Sequence, residues 1–567
     1  MTTTAAAPKT EVPMLNVQVD GVWKQFPKGT RLIEACMQSG QFVPHYCYHP
    51  KLSSPGNCRM CLVELGMPKM TPDRKPVLGE DGRPEIAWSP RPAISCATEV
   101  SEGMAVRTAS PLVEECRKGV MEFLLINHPL DCPICDQAGE CRLQEFSVEY
   151  GKGDSRFIEE KVKKPKRVDI GKNIVLDDER CIMCSRCIRF MKEIANDDVL
   201  GFVNRGSHTT LTVYPGKRLD NNYSLNTADI CPVGALTSKD FRFKMRVWFL
   251  KETKSIDVNC GNGTNIVIGS RENIVYRITP RENDFVNSCW MPDSHRLNIH
   301  YLHDDRRLKE PVVKGEDAPA KWSDAIAAAA RQLKAQEPSR IAMIASGRMT
   351  NEELFLAKRL AAAIGVEQFD ILPRPQEGDG FLISEDGNPN TTGAKLLGLT
   401  SSHPGAKLQE IARGVASGAI KALICLGEDA TKIGIIESDL QKLASLIVMD
   451  ILPNRTTPHA TVLLPASAFA EKRGTMINLG GRIQRLNRAV SAPGQARDDW
   501  EILRDLIQAV GGANGVYSIE EVFKAMAAET PALEGLSIAK IGDLGVQLEI
   551  PEVATPREVP TRVTGRS

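Results

Sequence analysis

Eleven of the sixteen cysteines fall into three spaced groups between Cys47 and Cys231, and thiolates at such spacings bind metal. The first group is Cys47-x10-Cys58-x2-Cys61-x34-Cys96. One ligand ahead of a close pair and one far behind is the logic of a plant-type 2Fe-2S site, although the first gap exceeds the plant-type spacing. Pro55-Gly56-Asn57-Cys58-Arg59-Met60-Cys61 supplies the loop, whose small residues let backbone amides approach the sulfides. A structural zinc site is the alternative, although zinc more often uses two close pairs. The second group, His128-x3-Cys132-x2-Cys135-x5-Cys141, places four donors within 14 residues. That set suits tetrahedral zinc, which an isolated peptide would favour, and equally a cubane whose odd iron takes an imidazole.

The third group, Cys181-x2-Cys184-x2-Cys187, is the most specific signal, because it matches the run of bacterial ferredoxins. The run's fourth position is Met191; Cys231-Pro232 stands 44 residues beyond Cys187, preceded by Thr227, Ser224 and Asn221 where a second run would carry cysteines. In a two-cluster ferredoxin the Cys-Pro thiolate serves the other run's cluster. Deleting the second cluster therefore leaves Cys181, Cys184, Cys187 and Cys231 as one complete 4Fe-4S set. With His128 the donors total twelve, or three sites of four. Cys36, Cys116, Cys260, Cys289 and Cys425 remain as small buried hydrophobes.

The elements that must hold these loops are partly legible. Leu15–Phe26 alternates around Asp20-Gly21 and predicts a β-hairpin, with a helix following at Leu32–Gln38. A helix is predicted over Pro111–Asn127 from its apolar spacing. From about Ser339 the pattern turns α/β. Arg340–Ala345 reads as a strand, Thr350-x-x-Glu353 as a capping box, and Leu354–Ile364 as the helix it opens. Further strands at Ala422–Cys425, Leu446–Val448 and Val462–Leu464 argue for a parallel sheet under helices. The run Glu471–Arg482 follows the last strand, where it either cradles phosphate or turns tightly; on its own it favours the turn.

Composition sets outer bounds. The 567 residues are enough for several cores, and Lys+Arg and Asp+Glu both total 71, so no bulk charge draws the chain to nucleic acid or an anionic membrane. With 42% hydrophobic and 25% charged residues the chain reads as globular. Its longest apolar runs, around Ala325–Ala330 and Val462–Ala470, stop well short of the roughly 20 residues of a membrane span. The first ten residues lack an export-type apolar core.

The order of the three cysteine groups resembles the large iron–sulfur, or G-type, subunit of proton-pumping NADH:quinone oxidoreductase, respiratory complex I. Tyr46–Pro50, Gly56–Cys61, His128–Cys141 and Cys181–Cys187 are similar to that family's cluster motifs. Met349–Glu353, Leu464–Ala466, Glu471–Thr475 and Arg497–Trp500 are similar to a molybdopterin-oxidoreductase domain, here shortened. The resemblance implies a multidomain α+β and α/β chain. Residues 1–12 would be a disordered lead-in and 13–100 a 2Fe-2S ferredoxin-like β-grasp domain. Residues 101–150 would form a helical 4Fe-4S domain with one histidine and three cysteine ligands, and 165–245 a bacterial-ferredoxin-like 4Fe-4S domain. Residues 250–306 would be a degenerate cluster-binding segment, 307–515 a non-catalytic molybdopterin-oxidoreductase-like domain, and 516–567 an extension and tail.

It further implies one 2Fe-2S cluster on Cys47, Cys58, Cys61 and Cys96. Two 4Fe-4S clusters would sit on His128, Cys132, Cys135 and Cys141, and on Cys181, Cys184, Cys187 and Cys231. Molybdopterin is not expected, and no residue of this chain is expected to be catalytic. Electrons would pass singly from an FMN/NADH-binding subunit toward quinone, beside a small 2Fe-2S subunit and the quinone-side subunits of the peripheral arm. The chain would lie on the cytoplasmic side of a bacterial inner membrane, touching the membrane only through the complex. Some family members carry a further cluster after the ferredoxin-like part; here Asp257 and Thr264 flank Cys260, and Trp290–Asp293 offers no thiolate, so that cluster is expected to be absent. The alternative is the iron–sulfur subunit of a soluble NAD-linked hydrogenase or a formate dehydrogenase.

Overall fold

The computed structural model describes residues 12–551, other than 74, 81, 317, 513 and 514, together with 553 and 561. The predicted lead-in, apart from Val12, and most of the end of the predicted tail lie outside them. The chain divides between Val247 and Trp248 into two units.

In the first unit, β1 (Met14–Val19) and β2 (Val22–Pro27) form the predicted hairpin, with Val19 opposite Val22. Asp20 and Gly21 both take positive φ, which an Asp-Gly turn between two twisted strands requires. The hairpin leads into α1 (Leu32–Gln38), then β3 (Leu62–Pro68), β4 (Ile86–Trp88), the short β5 (Ala93–Ile94) and β6 (Ala105–Arg107). The sheet runs β2-β1-β6-β3-β4, with β1 parallel to β6 and β5 paired to β3. Val17, Leu32, Ile33, Val63 and Val106 fill the core between sheet and α1.

Helix α2 (Pro111–Leu125) starts on Ser110, whose side chain accepts from Val113 N, and Pro111 occupies the first position, where its missing N–H costs nothing. It ends two residues before the predicted Asn127, freeing the chain to turn into His128. After α3 (Arg142–Glu149) come the small sheet β7 (Val168–Asp169), β8 (Ile174–Leu176) and β11 (Leu236–Ser238) and the hairpin β9 (Leu200–Val203) with β10 (Thr210–Val213). Helices α4 (Arg186–Glu193) and α5 (Asn226–Asp229) lie between these strands in the chain.

The second unit opens with the antiparallel meander β12 (Lys251–Ile256), β13 (Asn265–Arg271) and β14 (Ile274–Pro280), followed by the one-turn α6 (Asp293–Arg296). Its main sheet contains β15 (Val312–Val313), β16 (Ile341–Ser346), β17 (Gln368–Leu372), β18 (Ala422–Leu426), β19 (Ser445–Asp450) and β20 (Val462–Pro465). The order is β15-β20-β19-β18-β16-β17, parallel except for the edge strand β15. Helices α7 (Trp322–Lys334) and α8 (Asn351–Ala363) cover it, together with the helix Asp499–Val510.

The predicted capping box is present: Thr350 Oγ1 accepts from Glu353 N, and Glu353 Oε2 accepts from Thr350 N at 2.8 Å. Strand β17 escaped the apolar pattern because Asp370 interrupts it. That carboxylate is buried, yet it accepts from Gly405 N, Lys407 N and Thr400 Oγ1.

Candidate metal centres

The donors of the first group converge. Cys47, Cys61 and Cys96 are buried and Cys58 is half-buried. Cys47 N donates to Cys58 Sγ at 3.4 Å. Cys58 and Cys96 donate to the Cys47 sulfur, which pulls its pKa down, and the same contacts push Cys58 and Cys96 up. Sulfurs this close repel one another once ionised, a repulsion that a bridging cation would neutralise. Gly56 takes a positive φ of 63° in the loop, and Arg59 adopts the same left-handed region between the paired cysteines. Such backbone turns amides toward the sulfurs.

In the second group Cys135 and Cys141 are buried and Cys132 is exposed; burial first, and then the neighbouring sulfurs, push the Cys135 and Cys141 thiols up. Burial, with Arg180 and Lys161, holds His128 down at about 4, so its ring is neutral at neutral pH and keeps a lone pair for a metal. In the third group burial and mutual repulsion raise Cys181, Cys184 and Cys187, and burial raises Cys231. Buried thiols of this kind ionise only when a cation compensates them, which fits cluster ligation. Met183 and Ser185, both at positive φ, thread the loop between them. Where a second ferredoxin run would place cysteines, Asn221, Ser224 and Thr227 are buried and hydrogen-bonded locally.

The three groups are not separate. One apolar cluster contains Cys47, Cys141 and Cys184 with Tyr46, Met60, Met121 and Phe146, and Cys58, Cys181 and Cys231 pack against it. Gly234 lies so close to Cys135 Sγ that a Cβ there would collide with it, so the Cys-Pro loop of the third group abuts the second. His128 and Cys181 line one small cavity.

Two arginines missed by the sequence reading bridge the first and third groups. Arg189 donates to the carbonyls of Cys47, Ser53 and Cys184, and Arg186 to those of Tyr48 and Ile230. Their only sequence signal is position: both follow Cys184 on the first turns of α4, where two cations need a reason to be buried.

The rear half shows what Glu471–Thr475 does. Arg307 donates to both Glu471 carboxylate oxygens at 2.7 and 2.8 Å, and Lys472 Nζ donates to Glu353 Oε2 and Asp499 Oδ2, each at 2.9 Å. Thr475 donates to Glu352 through its N–H and its hydroxyl, and a Cβ on Gly474 would meet Thr350 and Glu352. The run is therefore a buried polar clasp on α8. A cavity of about 400 Å³ opens at the carboxyl ends of β16, β18 and β19. It is lined by Arg348, Arg374, Lys432 and Lys472, but equally by Glu428, Asp429, Asp450 and Asp499. Four carboxyls facing four cations give no net positive field for a polyphosphate-bearing pterin, so these residues do not fit that cofactor.

Family models match the chain in the same order as these groups. A 2Fe-2S iron-sulfur cluster binding domain covers residues 13–111, and the NADH-ubiquinone oxidoreductase-G iron-sulfur binding region covers 117–156. The ferredoxin-like domain of NADH-quinone oxidoreductase subunit 3 covers 171–237. An NDSU1/NuoG-like 4Fe-4S domain covers 250–300, and a molybdopterin oxidoreductase model covers 307–374 and 381–509. The G-type subunit of NADH-quinone oxidoreductase from Rickettsia conorii is 32% identical, over 91% of this chain and 90% of its own length. The chain belongs to this G-type family.

Within that family, the 78 kDa subunit of mitochondrial NADH-ubiquinone oxidoreductase from Neurospora crassa is 31% identical over 92% of this chain and 84% of its own length. A chain of an NAD+-reducing NiFe hydrogenase is 26% identical over 41% of this chain and 91% of that one, at a TM-score of 0.34, a likeness too slight to bear on fold or function. Among the described residues, no helix of this G-type chain is long and apolar enough to cross a membrane.

Proposed function

We propose that this chain relays electrons singly through three iron–sulfur centres. The first is a 2Fe-2S cluster on Cys47, Cys58, Cys61 and Cys96. The other two are 4Fe-4S clusters, on His128, Cys132, Cys135 and Cys141, and on Cys181, Cys184, Cys187 and Cys231. The observation that carries this is the single apolar core into which donors of all three groups pack. When bound, the clusters supply one-electron carriers. The residues hold them close together, exclude water through Tyr46, Met60, Met121 and Phe146, and keep Arg186 and Arg189 between the first and third groups. Those cations favour the reduced, more negative state of either neighbour.

By family membership the electrons come from an FMN/NADH-binding subunit and leave toward quinone through neighbouring peripheral-arm subunits, with a small 2Fe-2S subunit in the same arm. The assembly would lie at the cytoplasmic face of a bacterial inner membrane. Iron analysis and low-temperature electron paramagnetic resonance of protein purified without air test the relay. About ten irons per chain with one 2Fe-2S and two 4Fe-4S signals support it. Two or three zincs without colour would make the chain a structural scaffold.

A further inference from the structure

Residues 250–300 match a family model described as a 4Fe-4S domain, yet their donors do not fit a cubane. Asp257, Cys260 and His295 are buried together, and one ligand atom from each lies within 4.8 Å of the other two. Cys289, the segment's other thiol, does not join them. A cubane's ligands sit on different irons and fan outward around a bulky core, whereas these three atoms converge on one point. The set also mixes carboxylate, thiolate and imidazole, the donors zinc takes in tetrahedral sites.

We propose that Asp257, Cys260 and His295 bind a single zinc ion where the family model describes a cubane. Ligand atoms at about 2.0–2.3 Å from one zinc stand about 3.5 Å apart, so the convergence is already close to what the ion needs. His295 Nδ1 and Asp257 Oδ2 are 2.7 Å apart and would open by less than about 1 Å. Metal binding displaces the proton they share and the proton of the Cys260 thiol, both of which pass to solvent.

The surroundings orient the donors. Asn259 donates through its N–H at 3.2 Å and its side-chain amide at 2.5 Å to Asp257 Oδ1, leaving Oδ2 turned inward. Asn298 donates to Asn259 Oδ1 at 2.6 Å and so fixes that amide. Outer hydrogen bonds of this kind hold metal ligands in place. Cys260 Sγ makes a long 3.5 Å contact to Leu382 O. Val258 and Asn259, between Asp257 and Cys260 in the chain, and Asn298 line the cavity above β16, β18 and β19, so that cavity comes close to the donors. Asp257 follows β12, Cys260 lies in the β12–β13 turn and His295 sits on α6, so the ion would pin the meander's turn to the helix beyond β14.

The test uses the full chain with its clusters, grown with zinc and passed over a weak chelator, followed by metal analysis and zinc-edge X-ray absorption. About one zinc per chain is expected, with one sulfur and otherwise nitrogen or oxygen neighbours. In Cys260→Ser and His295→Gln, zinc should fall at least about tenfold while iron content and cluster signals stay unchanged. Asn259→Ala should weaken zinc retention about tenfold or more with all three ligands in place. Four outcomes overturn the proposal: negligible zinc in the parent chain, zinc retained in both ligand variants, a zinc shell of several sulfurs, or loss of about four irons in Cys260→Ser, which would show a cubane. Because the absorption measurement is made on the parent chain, it stands even if a variant fails to fold.

Discussion

Replacing Lys472 by alanine is expected to destabilise the second unit while leaving the clusters of the first in place. Lys472 has a 6% exposed side chain and sits 2.9 Å from carboxylate oxygens of Glu353 and Asp499, which are 0% and 9% exposed. Its removal strands two buried carboxyls, and breaking a buried pair in this way costs about 3–5 kcal/mol. At about 2–4 °C per kcal/mol for a unit of roughly this size, the unit's unfolding midpoint should fall by about 10 °C. Glu353 also caps α8, and Asp499 accepts from Ser467 N, so the damage reaches both helices of the clasp. Burial already pushes both carboxyls above their ordinary range. Without the lysine they rise further. A carboxyl raised in the fold is harmless below its unfolded pKa and costs stability as pH climbs above it, so the deficit should be smaller at about pH 5 than at about pH 8. Calorimetry at the two pH values, with cluster absorption followed in parallel, measures this. The triple variant K472M/E353Q/D499N, which removes every charge, should recover most of the loss. A K472A deficit below about 1 kcal/mol, or one larger at acid pH, would refute the reasoning.

Four further outcomes are expected. His128→Cys adds negative charge to its centre and should lower that centre's potential in a redox titration followed by electron paramagnetic resonance; an unchanged potential would sink the ligation. Arg189→Gln removes a cation bound to the Cys47 and Cys184 carbonyls, so the potentials of the first and third centres should both fall, and a change at neither would show the arginine to be purely structural. Gly234→Ala drives a methyl group into Cys135 Sγ and should cost about four irons per chain, whereas Gly216→Ala, in an open turn, should cost none. Cys425→Ser buries a hydroxyl in β18 and should cost about 1–3 kcal/mol of stability without losing iron; loss of two or more irons would refute the count of three sites.

What the sequence determined by itself is the chemistry carried by short spacings. Cys58-x2-Cys61, Cys181-x2-Cys184-x2-Cys187 and His128 through Cys141 are local, and few folds can use thiols so placed except around a metal. The Asp20-Gly21 hairpin, the Thr350–Glu353 capping box and four of the five parallel strands were legible for the same reason, because turn chemistry and apolar runs act within a few residues. Strand β17 was hidden because its buried Asp370 is satisfied by amides 35 and 37 residues away. Only the tertiary structure joined the three groups into one core and set Arg186 and Arg189 between the first and third. It also resolved Glu471–Thr475 as a salt-bridged clasp, and brought His295 to Asp257 and Cys260 across a three-stranded meander. These pairings are chosen by burial, which selects partners by distance in space and leaves no periodicity along the chain.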